Sequence, residues 1–125
     1  MKPNLFRHVF ALLMLLLHPG PVAAHHGTAA YDMTQVLTMK GVVTSYEFIN
    51  PHAEIRVAVT DETGHTVNWL AETNNPNRLA RRGWNRNSVK PGDMITIVGN
   101  PVRSGAPSLR LTKIVLPDGR ELDPL

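Results

Sequence analysis

With 125 residues, 13 Lys and Arg against 10 Asp and Glu, and no cysteine, the chain excludes disulfides, thiolate metal sites and thiol redox chemistry. Its formal charge of +3 includes Lys2 and Arg7, which belong to an amino-terminal leader; without them 11 basic side chains face 10 acidic ones. A net charge of about +1 gives no ground for a polyanionic partner.

The chain opens with Lys2 and Arg7, an apolar run of nine residues from Val9 to Leu17, a Pro19-Gly20-Pro21 break and the small residues Val22-Ala23-Ala24. That order is a secretory signal peptide over residues 1–24, with cleavage after Ala24. The run is shorter than the roughly 20 residues a membrane span requires, so no stable membrane anchor is expected after cleavage. A mature protein of 101 residues is expected in the periplasm or outside the cell, enough chain for one small domain. No cysteine follows the leader to carry a lipid.

Residues 25–34 show no sustained apolar period and are expected to form an extended or partly ordered arm ahead of a domain over 35–125. From Gln35 to Ile49 the chain is rich in Val, Thr, Tyr and Phe and reads as a long strand, with Gly41 marking a bulge or a sharp coil. Asn50-Pro51 ends it. Ile55, Val57 and Val59 alternate with polar residues in a second strand over 53–60. Asp61-Glu62-Thr63-Gly64 forms a hairpin turn, and a third strand over 65–72 places Val67, Trp69 and Ala71 on one face. Asn75 as cap, Pro76 at the first helical position and Gly83 beyond the end predict a short helix over 75–84. Trp84 then falls where a Schellman cap packs a hydrophobe on Leu79. Lys90-Pro91-Gly92-Asp93 is a type II turn. Two further strands, 94–102 and 109–116, flank an irregular loop over 104–108, and Pro117-Asp118-Gly119 turns the chain into a short tail.

Three strands, a short helix and two more strands is the element order of an all-β, OB-like Greek-key barrel of five strands, here read as antiparallel. A small open β-sandwich is the alternative. Single-stranded nucleic acid, a common ligand of such barrels, is disfavoured by export, a mature charge near zero and few aromatics.

Three constellations are candidates for chemistry. Cleavage after Ala24 gives a new α-amine beside His25 and His26. The amine, the imidazoles and the intervening amide are nitrogen donors available near neutral pH, a set suited first to Cu(II), then to Ni(II) and Zn(II). Two solvated histidines are the plain alternative. His52, with Asn50 in the loop between the first two strands, is a candidate third metal ligand, a proton-transfer group, or only a loop contact. Ten residues reach about 33 Å extended, so the arm can bring His25 and His26 to His52. Arg81, Arg82 and Trp84 form either a cationic and aromatic surface or a helix plug, with arginines pairing with carboxylates such as Glu72. Arg103 completes a possible ligand face with the 104–108 loop. Met33, Met39 and Met94 are too scattered for a thioether copper site. No nucleophile elbow, phosphate-cradling glycine loop or His-Glu-x-x-His helix points to an enzyme.

His25-His26, Asn50-Pro51-His52, Trp69 with Glu72, Asn75-Pro76-Asn77, Leu79-Ala80-Arg81-Arg82-Gly83-Trp84 and Lys90-Pro91-Gly92-Asp93 together resemble the small exported bacterial proteins of domain of unknown function 6152. Gly27 and Glu54 depart from that pattern, where a serine and an aromatic or apolar residue are usual. The resemblance implies an exported, compact β-rich domain and brings no activity or catalytic residue. Two functions follow as expectations. One is a non-catalytic protein that binds copper or another transition metal through His25, His26 and His52. The other is a metal-free module holding a small ligand or a partner protein on the barrel face.

Overall fold

A computed structural model describes residues 27–125. Six strands and one helix follow in chain order: β1 (Leu37–Glu47), β2 (Glu54–Thr60), β3 (Thr66–Glu72), α1 (Pro76–Ala80), β4 (Met94–Pro101), β5 (Ser108–Val115) and β6 (Glu121–Leu122). They pair in the order β3-β2-β1-β4-β5-β6, and β3 also pairs with β5. That last pairing closes a five-stranded barrel of OB-like order, with β6 appended to β5; the open sandwich is not what forms.

One expectation needs correcting. The strands are not all antiparallel, because β3 and β5 run parallel through Leu70↔Ser108, Ala71↔Leu109 and Glu72↔Arg110. The segment through α1 and β4 carries the chain across the barrel, so β5 returns beside β3 in the same direction.

Inward alternation builds the core from Ile55 and Val57 of β2, Ala71 of β3, Ile95 and Ile97 of β4, and Leu109, Leu111 and Ile114 of β5. Burying each Leu, Ile or Val contributes about 1.5–3 kcal/mol, which lets so small a domain stand without cross-links. The step from Leu111 to Ile114 changes the inward phase, and a register shift between Val98 and Gly99 accounts for it. Thr112, the extra residue, donates its hydroxyl to the Val98 carbonyl at 3.1 Å. Thr44 does the same in β1, where the register slips between Val43 and Ser45 and its hydroxyl reaches the Arg56 carbonyl at 3.2 Å.

The bulge of β1 therefore sits at Thr44 and not at Gly41, which is in regular register with Ile95. Gly41 is required by close approach: a Cβ there would lie 2.5 Å from the Ala58 carbonyl oxygen and 2.7 Å from Val57. Backbone against backbone at that range leaves room only for hydrogen.

Helix α1 follows the expected punctuation. Asn75 accepts from the Arg78 amide at 3.0 Å, and Pro76 opens the helix. Beyond it, Gly83 has φ +84°, its N–H donates to Ala80 and the Trp84 N–H donates to Leu79. Those two bonds are the Schellman pair, and Leu79 and Trp84 both enter the core. No helix among the described residues is long and apolar enough to cross a membrane.

Candidate functional site

The amino-terminal segment is docked rather than loose from Gly27 onward. Thr28–Ala30 forms a 3-10 turn, and Tyr31 makes a β-bridge with Val102, just beyond β4. The Asp32 N–H donates to Pro101 at 2.8 Å and the Arg103 N–H to Ala30 at 2.9 Å. Asp32 then stiffens the approach to β1, accepting from the amide and hydroxyl of Thr34 at 3.1 and 2.6 Å. Those bonds hold its carboxyl below the usual carboxylate range.

This docking lays Tyr31 over the outer wall of the barrel, against residues that alternation turns away from the core. Glu72, the last residue of β3, is paired on both sides, with Glu54 of β2 and with Arg110 of β5. Its carboxylate is shared between two donors. The Tyr31 hydroxyl donates to Oε2 at 3.0 Å, and Nδ1 of His52 lies 2.8 Å from Oε1. Side-chain exposures of 30% for His52 and 21% for Glu72 place the pair at the border between protein and water.

His52 is held by the stitching of its neighbours. The Ala53 N–H donates to Asn74 at 3.0 Å, the Thr73 N–H to Ala53 at 3.0 Å, and the Thr73 hydroxyl also to Ala53 at 2.9 Å. These bonds fasten the β1–β2 connection to the segment after β3, so His52 and Glu72 meet across a backbone clamp. Burial, then the charge of Glu72 and its hydrogen bond, push the Tyr31 hydroxyl up to about 12, with Arg110 pulling the other way.

Tyr31, His52, Glu72 and Arg110 line a cleft of about 120 Å³, together with Gly27, Thr28, Thr73 and Asn74. The cleft is polar, carries both signs of charge, and has the first described residue, Gly27, in its lining. Its chemistry is that of a small polar guest or an ion: an imidazole backed by a carboxylate, a phenol and a guanidinium. Among the described residues no three of His, Cys, Asp and Glu come together in a metal-holding group. His52 and Glu72 are two such residues, and a metal here would need donors from elsewhere in the chain.

Ala24, His25 and His26 lie outside the described residues. Asn50 shares the loop of His52 and is exposed, but does not line the cleft. Arg81 and Arg82 line a shallow surface depression with Glu121, Leu122 and Asp123 that has no residue in common with the cleft. Arg82 meets Asp123 at 3.3 Å, whereas Glu72 is engaged by Tyr31 and His52 and not by an arginine. Trp84 is 1% exposed and donates its indole N–H to the Asp123 carbonyl, so it plugs the barrel and presents no aromatic surface. Arg103 is exposed, with Asp32 at 4.0 Å.

Tyr31 and Arg110 are the residues the sequence reading missed. Arg110 had only its outward phase on β5 as a signal. Tyr31 stood as a lone aromatic in a segment without periodicity, where nothing marks a long-range contact.

Comparison with the curated proteins and with the solved structures gives no match. A family model does match, over residues 14–109, which takes in β1 to β4, the first two residues of β5 and every cleft residue except Arg110. The chain belongs to the family of unknown function DUF6152.

Proposed function

We propose that this is an exported, non-catalytic barrel that binds a transition metal, Cu(II) in first place, through the amino terminus created by cleavage after Ala24. The α-amine and His25 close a chelate ring, His26 adds donors, and His52 completes the set. One observation carries the reading: the cleft that contains His52 is lined by Gly27, the residue that follows His25-His26. Docking of Tyr31 and Asp32 on the barrel removes the need for a long arm to find its way back. Nitrogen-rich donors around a mixed-charge pocket suit Cu(II) above Ni(II) and Zn(II).

The test uses the full chain expressed with its leader and collected after processing. Mass determination is expected to place the new terminus at His25, and Cu(II) titration to give one-to-one uptake. A form carrying one extra residue before His25 is expected to bind far more weakly. Processing at another site, or equal affinity in the extended form, would refute the amino-terminal site.

A further inference from the structure

The two sides of the cleft differ in sign and in hydrogen-bonding character. Glu54, Glu72 and Arg110 stand in one row across β2, β3 and β5, since Glu72 is the register partner of both the others. Their neighbours Ile55, Ala71, Leu109 and Leu111 are buried, so alternation turns the row to the outer face. Glu54 is met by Arg56 at 3.6 Å. Glu72 and Arg110 are ladder neighbours of opposite charge, yet the carboxylate is held by Tyr31 at 3.0 Å and His52 at 2.8 Å instead. None of the ion pairs among the described residues includes Arg110. Residues 1–26 contain no Asp or Glu, so no acidic side chain neutralises this part-buried guanidinium.

The polar groups beside Glu72 sharpen the contrast. Asn74 commits an amide N–H to the Pro124 carbonyl at 2.6 Å, and the Thr73 hydroxyl commits its proton to the Ala53 carbonyl at 2.9 Å. What they leave for a guest is mainly acceptor oxygen, and each Glu72 oxygen keeps acceptor capacity beyond the bond it makes. Arg110 offers donors alone. The volume of about 120 Å³ is well below the roughly 300 Å³ at which drug-sized pockets begin.

We propose that the cleft binds a free α-amino acid with a small side chain, its carboxylate on Arg110 and its ammonium on Glu72. The paired N–H donors of a guanidinium match a carboxylate. The three N–H donors of an ammonium match the acceptors of Glu72, Thr73 and Asn74. A simple anion would face the charge of Glu72 with nothing to offset it, and a simple cation would face Arg110 in the same way. Only a guest with both charges leaves neither side unpaired. The site is independent of the metal reading: Tyr31 and His52 serve it as the struts that hold Glu72, and the amino terminus takes no part.

The test titrates the processed protein, kept metal-free by a chelator, with glycine and L-alanine and follows the amides by NMR. Saturable shifts are expected over residues 70–74 and at Arg110, with acetate and methylammonium each binding at least about tenfold more weakly. N,N,N-Trimethylglycine, which keeps both charges but has no N–H, is expected to lose a similar factor, and L-leucine to be excluded by size. Arg110→Gln, at an outward position of β5, is expected to abolish the glycine shifts; if that variant does not fold, the ligand series alone decides. No saturable shift with glycine or L-alanine overturns the proposal. So does undiminished glycine binding in Arg110→Gln, or binding of acetate, trimethylglycine or L-leucine as tight as that of glycine. Because copper is kept out of the measurement, failure of the metal reading leaves this outcome untouched, and the reverse holds too.

Discussion

Replacing Tyr31 by Phe isolates one hydroxyl, because the ring and its packing remain. That hydroxyl donates to a carboxylate at 3.0 Å from a side chain only 9% exposed. Hydrogen bonds to charged groups are worth about 1.5–3 kcal/mol, and partial access of water to Glu72 lowers the expectation to about 1–2 kcal/mol at neutral pH. The pH dependence supplies a second, signed readout. Burial first, and Glu72 next, raise the Tyr31 hydroxyl from 10.0 to about 12 in the folded protein. A raised pKa means that folding favours the neutral phenol. The contribution is therefore complete below about pH 10 and is lost as pH climbs through about 12. The rise from 10.0 to about 12 corresponds to a ceiling of about 2.7 kcal/mol, which solvent screening reduces to about 1–2 kcal/mol. Urea unfolding of wild type and Tyr31→Phe across this range is expected to show a gap of that size at about pH 8, closing by about pH 12. Tyr46, the other of the two tyrosines, is also raised, by burial, and is common to both proteins. Absence of the gap at about pH 8, or a gap that persists unchanged at about pH 12, would refute the role given to the Tyr31–Glu72 bond.

Two further outcomes test the frame that holds the site. Gly41→Ala forces a methyl onto the Ala58 carbonyl and Val57, and is expected to cost about 1–3 kcal/mol with a lowered Tm in thermal unfolding. Full stability in that variant would show that β1 and β2 separate more readily than their spacing implies. Leu79→Ala empties a fully buried position beneath Trp84 and is expected to cost about 2–5 kcal/mol by urea unfolding, with red-shifted tryptophan emission as the plug loosens. A loss below about 1 kcal/mol would mean that the plug contributes little to the closed barrel.

The strands were legible because each is half buried, so inward and outward residues alternate, and because Asn, Pro and Gly fall at the joints. Residues 53–60 and 75–84 show this best. The parallel seam was not legible, since strand direction depends on how the chain from α1 to β4 crosses the barrel. The bulges at Thr44 and Thr112 were hidden for a similar reason: threonine is at home in a strand, and its bond to an opposing carbonyl exists only once two strands are paired. Gly41 drew attention to the right strand, but the bulge expected there as one of two alternatives lies at Thr44. Of the cleft, His52 was visible as a histidine after a turn, and Glu72 as a residue quoted for its likeness to a family. Their contact was not visible, nor was Tyr31, because 41 residues separate Tyr31 from Glu72 and no local pattern reports such a distance.

The seam between β3 and β5 is a zipper only three residue pairs long, and Glu72↔Arg110 is its last pair. The earlier half of β3, from Thr66 to Trp69, is laddered to β2 alone, so the barrel wall has a slit that narrows toward the cleft. Whatever grips Glu72 grips the closed end of that slit. Tyr31 and His52 do so from outside the wall, fastening two stretches of chain that take no part in the ladder. Any guest that tightened this clasp would be felt along Leu70–Glu72 as slower amide exchange, without touching the amides concerned.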